Sequence, residues 1–253
     1  MPRSLWNGAV ALGLVTVPVK VYSATEDKTV HFHEVHAKDG SRIEHRRICP
    51  NDGKQIDHKD IVKGYEVKRG EFVELTDDEI AAAAGSQSRL IDLDHFVPVA
   101  DVDPVFYERT YYLGCGDGAD AAYALLHAAL RRSERAGVGR WVFHNRERTV
   151  VVRPLEDVLA LHTMRFADEL VDPGELELGR VSRKPSKREI EMAGKLVDGM
   201  HVKFKASDYE DEHRKAVLEV IERKASGKPI EPVDEPEERG SEDLLAALEA
   251  SLR

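Results

Sequence analysis

Short runs in which hydrophobic and polar residues alternate account for most of the first two-thirds of the chain. The first run lies within residues 4–22 and has a valine at every second position from Val15 to Val21. On a β-strand this spacing puts the valines on one face and Lys20 on the other. Pro18 cannot donate a backbone hydrogen bond, so the sequence predicts that this strand lies at a sheet edge or is interrupted there.

The pattern continues with further strands and two inserted helices. Thr76 and Glu79 form a capping-box motif that predicts a helix over residues 76–84, and residues 119–135 have the spacing of an amphipathic helix. Residues 155–166 fit either a strand or a helix. The remaining predicted strands are 88–99, 103–114, 139–143 and 149–153, the last two joined as a hairpin by a turn at 144–148. Many strands with few helices favour a barrel-like β domain over alternating βα units.

The C-terminal third has a different character. Residues 181–228 contain two predicted helices with little core of their own, which is typical of an arm that packs on another surface. Residues 229–240 form an acidic, proline-rich linker. A last short helix follows at 241–253, and we predict that it docks onto a partner through one apolar stripe, formed by Leu244, Leu245, Leu248 and Leu252.

Composition indicates a globular protein outside the membrane. Hydrophobic residues make up 42% of the 253 positions, which is enough to bury a core. No apolar run approaches the roughly 18 residues that span a bilayer, and we expect the N-terminus to be a buried strand and not a signal peptide. Cys49 and Cys115 lie far apart and predict no disulfide framework, so we expect a protein of the reducing cytoplasm.

The net charge of −10 would ordinarily argue against a nucleic-acid partner. The charge is segregated, however. Residues 1–70 carry 12 basic against 9 acidic side chains, whereas residues 71–120 carry 2 against 12. Such alternation allows a basic surface that attracts DNA beside an acidic one that repels it, although an ordinary mixed surface gives the same counts.

The stretch from Ser41 to Glu66 concentrates basic residues and turn-forming residues. Cys49 and the following Pro-Asn-Asp-Gly resemble the start of a zinc-ribbon knuckle, but Asp52 occupies the place of the second cysteine. A structural zinc site needs four ligands, and no later Cys-x-x-Cys completes the set. We therefore predict that Asp52 and Gly53 make a metal-free turn, and that the stretch is a ribbon facing DNA.

Two groups of residues suggest metal chemistry as an alternative. Asp92 and Asp94, with Asp101 and Asp103 further on, could hold magnesium as paired carboxylates do in nucleases and phosphoesterases. The histidines at positions 31, 33 and 36 have a spacing that some metal sites use. Both groups also fit the polar face of a strand, because they alternate with apolar residues.

Several stretches together resemble the bacterial Ku family, the DNA end-binding proteins of non-homologous end joining. The resemblance covers nearly the whole chain and is carried by SLWNGAVALGLVTVPVKVYSATE, FHEVHAKDGSRIEHRRICPNDGKQIDHKDIVKGYE, EFVELTDDEI and SEDLLAALEASLR. It implies a mainly β protein with some helix: residues 1–180 form a β-barrel core with a bridge at about 30–70, and a helical C-terminal arm follows.

The resemblance also implies a non-enzymatic protein of the bacterial nucleoid that needs no cofactor and no metal. Two copies would close into a ring around a double-stranded DNA end, and an ATP-dependent DNA ligase would dock at the C-terminus. Contacts that ignore sequence must go to phosphates and sugars. We predict that the DNA-binding residues are Arg3, Lys20, Arg42, Arg46, Arg47, Lys54, Lys63, Arg140 and Arg146, although each also fits a solvated surface charge.

Overall fold

A computed structural model describes residues 3–83, 89–179 and 183–229. The protein contains both helices and strands, and the chain divides into two compact units. The first unit comprises residues up to 27 and residues 34–172, and it contains all nine strands of the described chain. The second comprises residues 28–33 and the chain from 173 onward. No helix among the described residues is long and apolar enough to cross a lipid bilayer.

Seven strands of the first unit close into a barrel, which confirms the predicted β-barrel. The order around the barrel is β1-β2-β6-β9-β8-β7-β5, and all neighbours are antiparallel except β1 and β5. The barrel strands are β1 (Trp6–Leu12), β2 (Val15–Ser23), β5 (Leu90–Pro98), β6 (Tyr107–Cys115), β7 (Arg135–Phe143), β8 (Arg146–Leu155) and β9 (Val158–Met164); β3 (Lys63–Lys68) and β4 (Glu71–Leu75) form a separate two-stranded sheet.

Four α-helices accompany the strands, and those predicted from the sequence within the described residues are present. They are α1 (Asp77–Ala83), α2 (Asp120–Ser133), α3 (Lys187–Gly199) and α4 (Glu212–Ala225). Thr76 and Glu79 make the predicted capping box of α1, and Ser186 caps α3 in the same way. The linker and the docking helix predicted beyond residue 229 lie outside the described residues. Short 3₁₀ turns lie at His58–Asp60, Val99–Asp101, Pro104–Phe106, Ala167–Glu169, Pro173–Glu175 and Ala206–Asp208.

Three of the four alternating valines of β2, Val17, Val19 and Val21, are buried in the barrel interior as predicted, whereas Val15 at the start of the strand is exposed. The prediction that Pro18 marks an edge or an interruption was wrong, because β2 runs unbroken between β1 and β6. The carbonyl of Pro18 accepts from the N–H of Gly116, so its nitrogen also points toward β6. Pairing with β6 begins only at Val19. The nitrogen of Pro18, which carries no hydrogen, therefore lies one residue before the pairing of β2 with β6 begins.

Helix α2 closes one end of the barrel. It connects β6 to β7, and its Leu126 and Leu130 lie in the same buried cluster as the barrel interior. The hydroxyl of Tyr123 donates to the carbonyl of Leu113 and accepts from the N–H of Leu159 at 2.8 Å. At the opposite end lie the β7–β8 turn and the first residues of β1. Within the described part of the first unit, no helix joins the buried cluster at this end, which we call the open end.

His162 is a buried polar residue on the outer side of β9, and the residue is only 4% exposed. The Nε of Arg153 donates to its Nε2 at 2.9 Å, so Nδ1 carries the proton and donates to the Thr110 hydroxyl at 2.9 Å. Burial, with a smaller contribution from the charge of Arg153, lowers the pKa of His162 to about 4. The folded protein therefore holds this imidazole neutral.

We expect acid to destabilise the fold through His162. The unfolded chain takes up the proton near pH 6.5 and the folded chain near pH 4, so stability is full above 6.5 and falls by roughly 3 kcal/mol as pH drops between these values. Urea unfolding at neutral and acidic pH measures this loss. His162→Gln, which keeps a donor and an acceptor but does not titrate, should show a correspondingly smaller loss. Parallel pH profiles for the two proteins would contradict the assignment.

Candidate nucleic-acid interface

The basic stretch predicted around Ser41 to Glu66 lies in an extended segment that contributes no strand to the barrel. We refer to residues 34–75 as the ribbon. It leaves the barrel after β2 and returns to it before β5, and both connections lie at the open end. All residues of β3 and β4 are exposed. The ribbon thus presents both of its faces outside the barrel.

Two similar turns shape the first half of the ribbon. In one, the N–H of Gly40 donates to the carbonyl of His36 at 2.8 Å, and Asp39 accepts from the N–H of Ser41 at 3.0 Å. The hydroxyl of Ser41 also donates to Asp39, and this bond is the main reason that the pKa of Asp39 is lowered. Each turn places an aspartate before a glycine of positive φ, +71° at Gly40.

The second turn contains the odd cysteine. Gly53 donates to the carbonyl of Cys49 at 2.9 Å, and Asp52 accepts from the N–H of Lys54 at 3.1 Å. Gly53 has a φ of +68°, which favours glycine. The predicted turn at Asp52 and Gly53 is confirmed: Asp52 accepts from the backbone at the position where a zinc knuckle has its second cysteine.

No group of three or more His, Cys, Asp or Glu side chains could hold a metal ion within the part of the chain that the structure describes. Asp94 instead pairs with Arg140 at 3.6 Å, and Asp92 is an exposed residue of β5. His36 pairs with Asp39 at 3.1 Å. The alternative of a metal-dependent nuclease at Asp92 and Asp94 therefore finds no support in this geometry.

A cavity of about 380 Å³ lies on the ribbon and brings together Arg46 and Arg47, two of the predicted DNA-binding residues. Arg46 lies 3.8 Å from Glu44, and Arg47 makes no ion pair with any carboxylate of the described chain. Two histidines of this cavity, His45 and His58, were not predicted from the sequence, although His45 is adjacent to Arg46 in sequence. The lining residues are His45, Arg46, Arg47, Gln55, Ile56, Asp57 and His58. Such a cavity suits an anionic group, because it offers guanidinium and imidazole donors with one carboxylate.

The other predicted ribbon residues are spread along its length. Arg42 pairs with Val35 through the backbone beside the first turn, and its side chain is exposed. Lys54 lies 3.5 Å from Asp52, and Lys63 donates to Asp77 at 2.7 Å. These pairs are solvent-exposed, and exposed pairs contribute little stability. A phosphate can therefore compete for both lysines.

The predicted barrel residues are already engaged. Lys20 donates to Asp117 at 2.7 Å, which raises the pKa of the lysine, and Arg146 lies 3.6 Å from Glu169. Arg140 makes the pair with Asp94 described above. Arg3 is exposed before β1. The structure thus places Arg46 beside Arg47. The barrel cations are dispersed, and Lys20, Arg140 and Arg146 each lie beside a carboxylate.

A closed seven-stranded barrel that carries an exposed ribbon outside its sheet defines the class of this protein. A family model described as the Ku70/Ku80 beta-barrel domain matches residues 11–192. The chain belongs to the Ku family.

Relatives align over almost the whole chain. A protein of Anaeromyxobacter sp. (strain K) named "Non-homologous end joining protein Ku" is 42% identical, with 100% of this chain and 86% of that protein covered. Proteins of the same name from Mycobacterium tuberculosis and Archaeoglobus fulgidus are 38% and 34% identical; each alignment covers 99% of this chain, and 95% and 98% of those proteins.

Proposed function

We propose that the protein binds the ends of double-stranded DNA without reading sequence and acts in non-homologous end joining. Family membership and the names of the relatives support this role. The observation that carries it is the ribbon, an exposed segment outside the barrel that places Arg46 and Arg47 on one cavity and has no buried residue in either of its strands. Phosphate contacts from such a segment position a duplex and ignore its bases.

Exposed apolar side chains on the ribbon support a dimer. Tyr65 is 68% exposed and Phe72 61% exposed, and neighbouring aliphatic residues are similarly open. A two-stranded sheet is marginally stable by itself in water, and a large exposed apolar surface marks an interaction site. A second copy of the chain is the occupant that we propose, so that two ribbons and two barrels close a ring around DNA.

The second unit supports the same dimer. Its helices α3 and α4 contain no buried residue, and the chain between them stacks Phe204 on Tyr209 with ring centroids 5.6 Å apart. We propose that residues 181–228 form an arm that packs on the partner subunit. Its exposed apolar side chains are Ile190, Val197, Met200, Val202, Phe204, Tyr209, Leu218 and Ile221.

Within this ring, we expect Arg46 and Arg47 to make the main phosphate contacts. The other exposed cations of the ribbon add weaker ones. The barrel residues require release from their carboxylate partners before they can bind. The protein would act as a clamp and a recruiting platform with no reaction of its own, at breaks in the bacterial nucleoid. The proposed contacts are Arg3, Lys20, Arg42, Arg46, Arg47, Lys54, Lys63, Arg140 and Arg146.

A comparison of linear and covalently closed DNA tests the ring. At one salt concentration, we expect linear duplex to be retained in a gel shift at protein concentrations that leave closed circles free, because a ring loads only at an end. Cutting the circle once should restore binding. Affinity for linear DNA should also fall steeply as salt rises, since each neutralised phosphate releases counterions. Equal retention of linear and circular DNA would exclude a ring.

We also propose that residues 241–253, outside the described residues, dock an ATP-dependent DNA ligase through Leu244, Leu245, Leu248 and Leu252. Deleting residues 241–253 should leave DNA binding unchanged and abolish stimulation of the ligase in an end-joining assay. Replacing the four leucines by serine should have the same effect, because it removes the apolar stripe but keeps the chain length. Full stimulation by the truncated protein would refute this docking site.

A further inference from the structure

The open end of the barrel contains a cavity that the proposed DNA ring does not use. Its volume is about 510 Å³, within the range of about 300–1,000 Å³ that is usual for small-molecule sites. Arg109, Tyr111, Phe143, His144 and Arg148 are among its lining residues. We refer to it as the mouth cavity. Helix α2 packs on the interior at the other end of the barrel, whereas the mouth cavity borders the aromatic side chains of Tyr111 and Phe143.

Aromatic rings form one wall of the mouth cavity. Phe143 stacks on the buried Trp141 with centroids 4.3 Å apart, and the ring of His144 contacts Phe143 at 4.0 Å. Tyr111 meets Phe143 edge to face at 6.3 Å. A second cavity of about 340 Å³ shares Phe143 and His144. His144 is exposed, and it forms the β7–β8 turn with Asn145, at φ values of 50° and 59°.

The same cavity has cationic side chains. Arg148 donates to Glu108 at 2.7 Å and is thereby neutralised. The backbone N–H of Arg109 donates to the Thr163 hydroxyl at 3.2 Å, which fixes the strand, while its guanidinium makes no ion pair with the described carboxylates. Arg109 therefore supplies an available positive charge beside the aromatic wall.

The position of the mouth cavity links it to DNA. Ser23 and Thr25 line it, and they lie at the end of β2 where the chain departs toward the ribbon. The ribbon and the mouth cavity thus share one end of the barrel.

We propose that the mouth cavity binds one unpaired nucleotide of a single-stranded overhang, a step that rests on the proposed binding of DNA ends. The base lies against Phe143 and His144, and its phosphate pairs with Arg109. Aromatic faces accept any base, and a basic group beside them holds the backbone, which is the usual chemistry of sequence-tolerant single-strand binding. The site adds affinity for frayed and resected ends and leaves blunt ends unaffected.

The test uses the full-length protein and two hairpin duplexes, one with a blunt end and one with a short overhang of either polarity. The overhang carries a fluorescent adenine analogue at its last unpaired position. The variants are His144→Asn, which keeps a residue suited to positive φ but removes the ring, and Arg109→Gln. Arg132→Gln is the matched control, since Arg132 is exposed on α2 at the closed end of the barrel.

We expect the wild-type protein and the control to bind the overhang about tenfold more tightly than the blunt end and to quench the analogue. Both mouth variants should lose the preference and the quenching while they bind blunt ends normally. Equal binding of the two ends by the wild-type protein, or unchanged binding by the variants, would overturn the proposal. Mouth variants that bind overhangs normally but reduce ligase stimulation would assign the cavity to a protein partner. Failure to bind either duplex would refute end binding itself.

Discussion

Reversing the charges of Arg46 and Arg47 together should reduce affinity for a linear duplex by about a hundredfold at moderate salt. The two guanidinium groups share one cavity of the ribbon, and we expect each to neutralise a phosphate. Losing one such contact weakens binding roughly tenfold for any sequence and lowers the slope of log affinity against log salt by about one. Fluorescence anisotropy across a salt series measures both quantities for Arg46→Glu/Arg47→Glu.

The matched control is Arg132→Glu/Arg135→Glu, which changes the total charge by the same amount at exposed positions at the closed end of the barrel. If affinity depends only on net charge, both double variants will weaken binding equally. We expect the control to lose severalfold at most and to keep the wild-type salt slope. Equal losses would remove the ribbon cavity from the DNA interface.

Gly139→Ala should destabilise the barrel by about 3 kcal/mol or more. A Cβ built at Gly139 would lie 1.8 Å from the backbone carbonyl oxygen of Asp92 on the neighbouring strand β5. The obstacle is backbone and cannot rotate away, so β5 and β7 must separate or shift register. Chemical denaturation monitored by tryptophan fluorescence reports this directly, because the buried Trp141 lies on the same strand.

Gly194→Ala adds the same methyl group but should have the opposite effect on stability. Gly194 lies within α3, and a Cβ there would meet no atom within 4 Å. Alanine has a higher helix propensity by up to about 1 kcal/mol, so α3 should become more stable. Circular dichroism during thermal unfolding compares the two variants. A Gly139→Ala protein as stable as the wild type would show that the close approach of β5 and β7 is not required.

Local pattern was sufficient to predict most elements of the barrel. The valines of β2 show why: strand alternation is a property of neighbouring residues and needs no knowledge of the partner strand. Pro18 shows the limit of the same reasoning, since the consequence of its missing N–H depends on where pairing with β6 begins. Residues 155–166 were ambiguous from sequence and contain β9.

The candidate site was less accessible to prediction because it depends on distant pairs. The cations of the ribbon were visible in the sequence, and the turn at Asp52 and Gly53 was predicted from turn chemistry. Nothing in the sequence near Lys20 indicates that Asp117, 97 residues away, neutralises it. The mouth cavity was missed for the same reason: Arg109 lies on β6 and His144 in the β7–β8 turn, and the two line one cavity only when the barrel closes.

The positions at which the ribbon connects to the barrel allow its length to differ among Ku proteins. The ribbon leaves from β2 and returns to β5, and both of these strands pair with β1. The end of β2 and the start of β5 are therefore two interstrand spacings apart, roughly 10 Å. Because the entropy of closing a loop grows only slowly with its length, residues can be added to the ribbon without changing the register of the barrel. The opening of the proposed ring can thus change in size through insertions and deletions, while the folding unit beneath it stays constant.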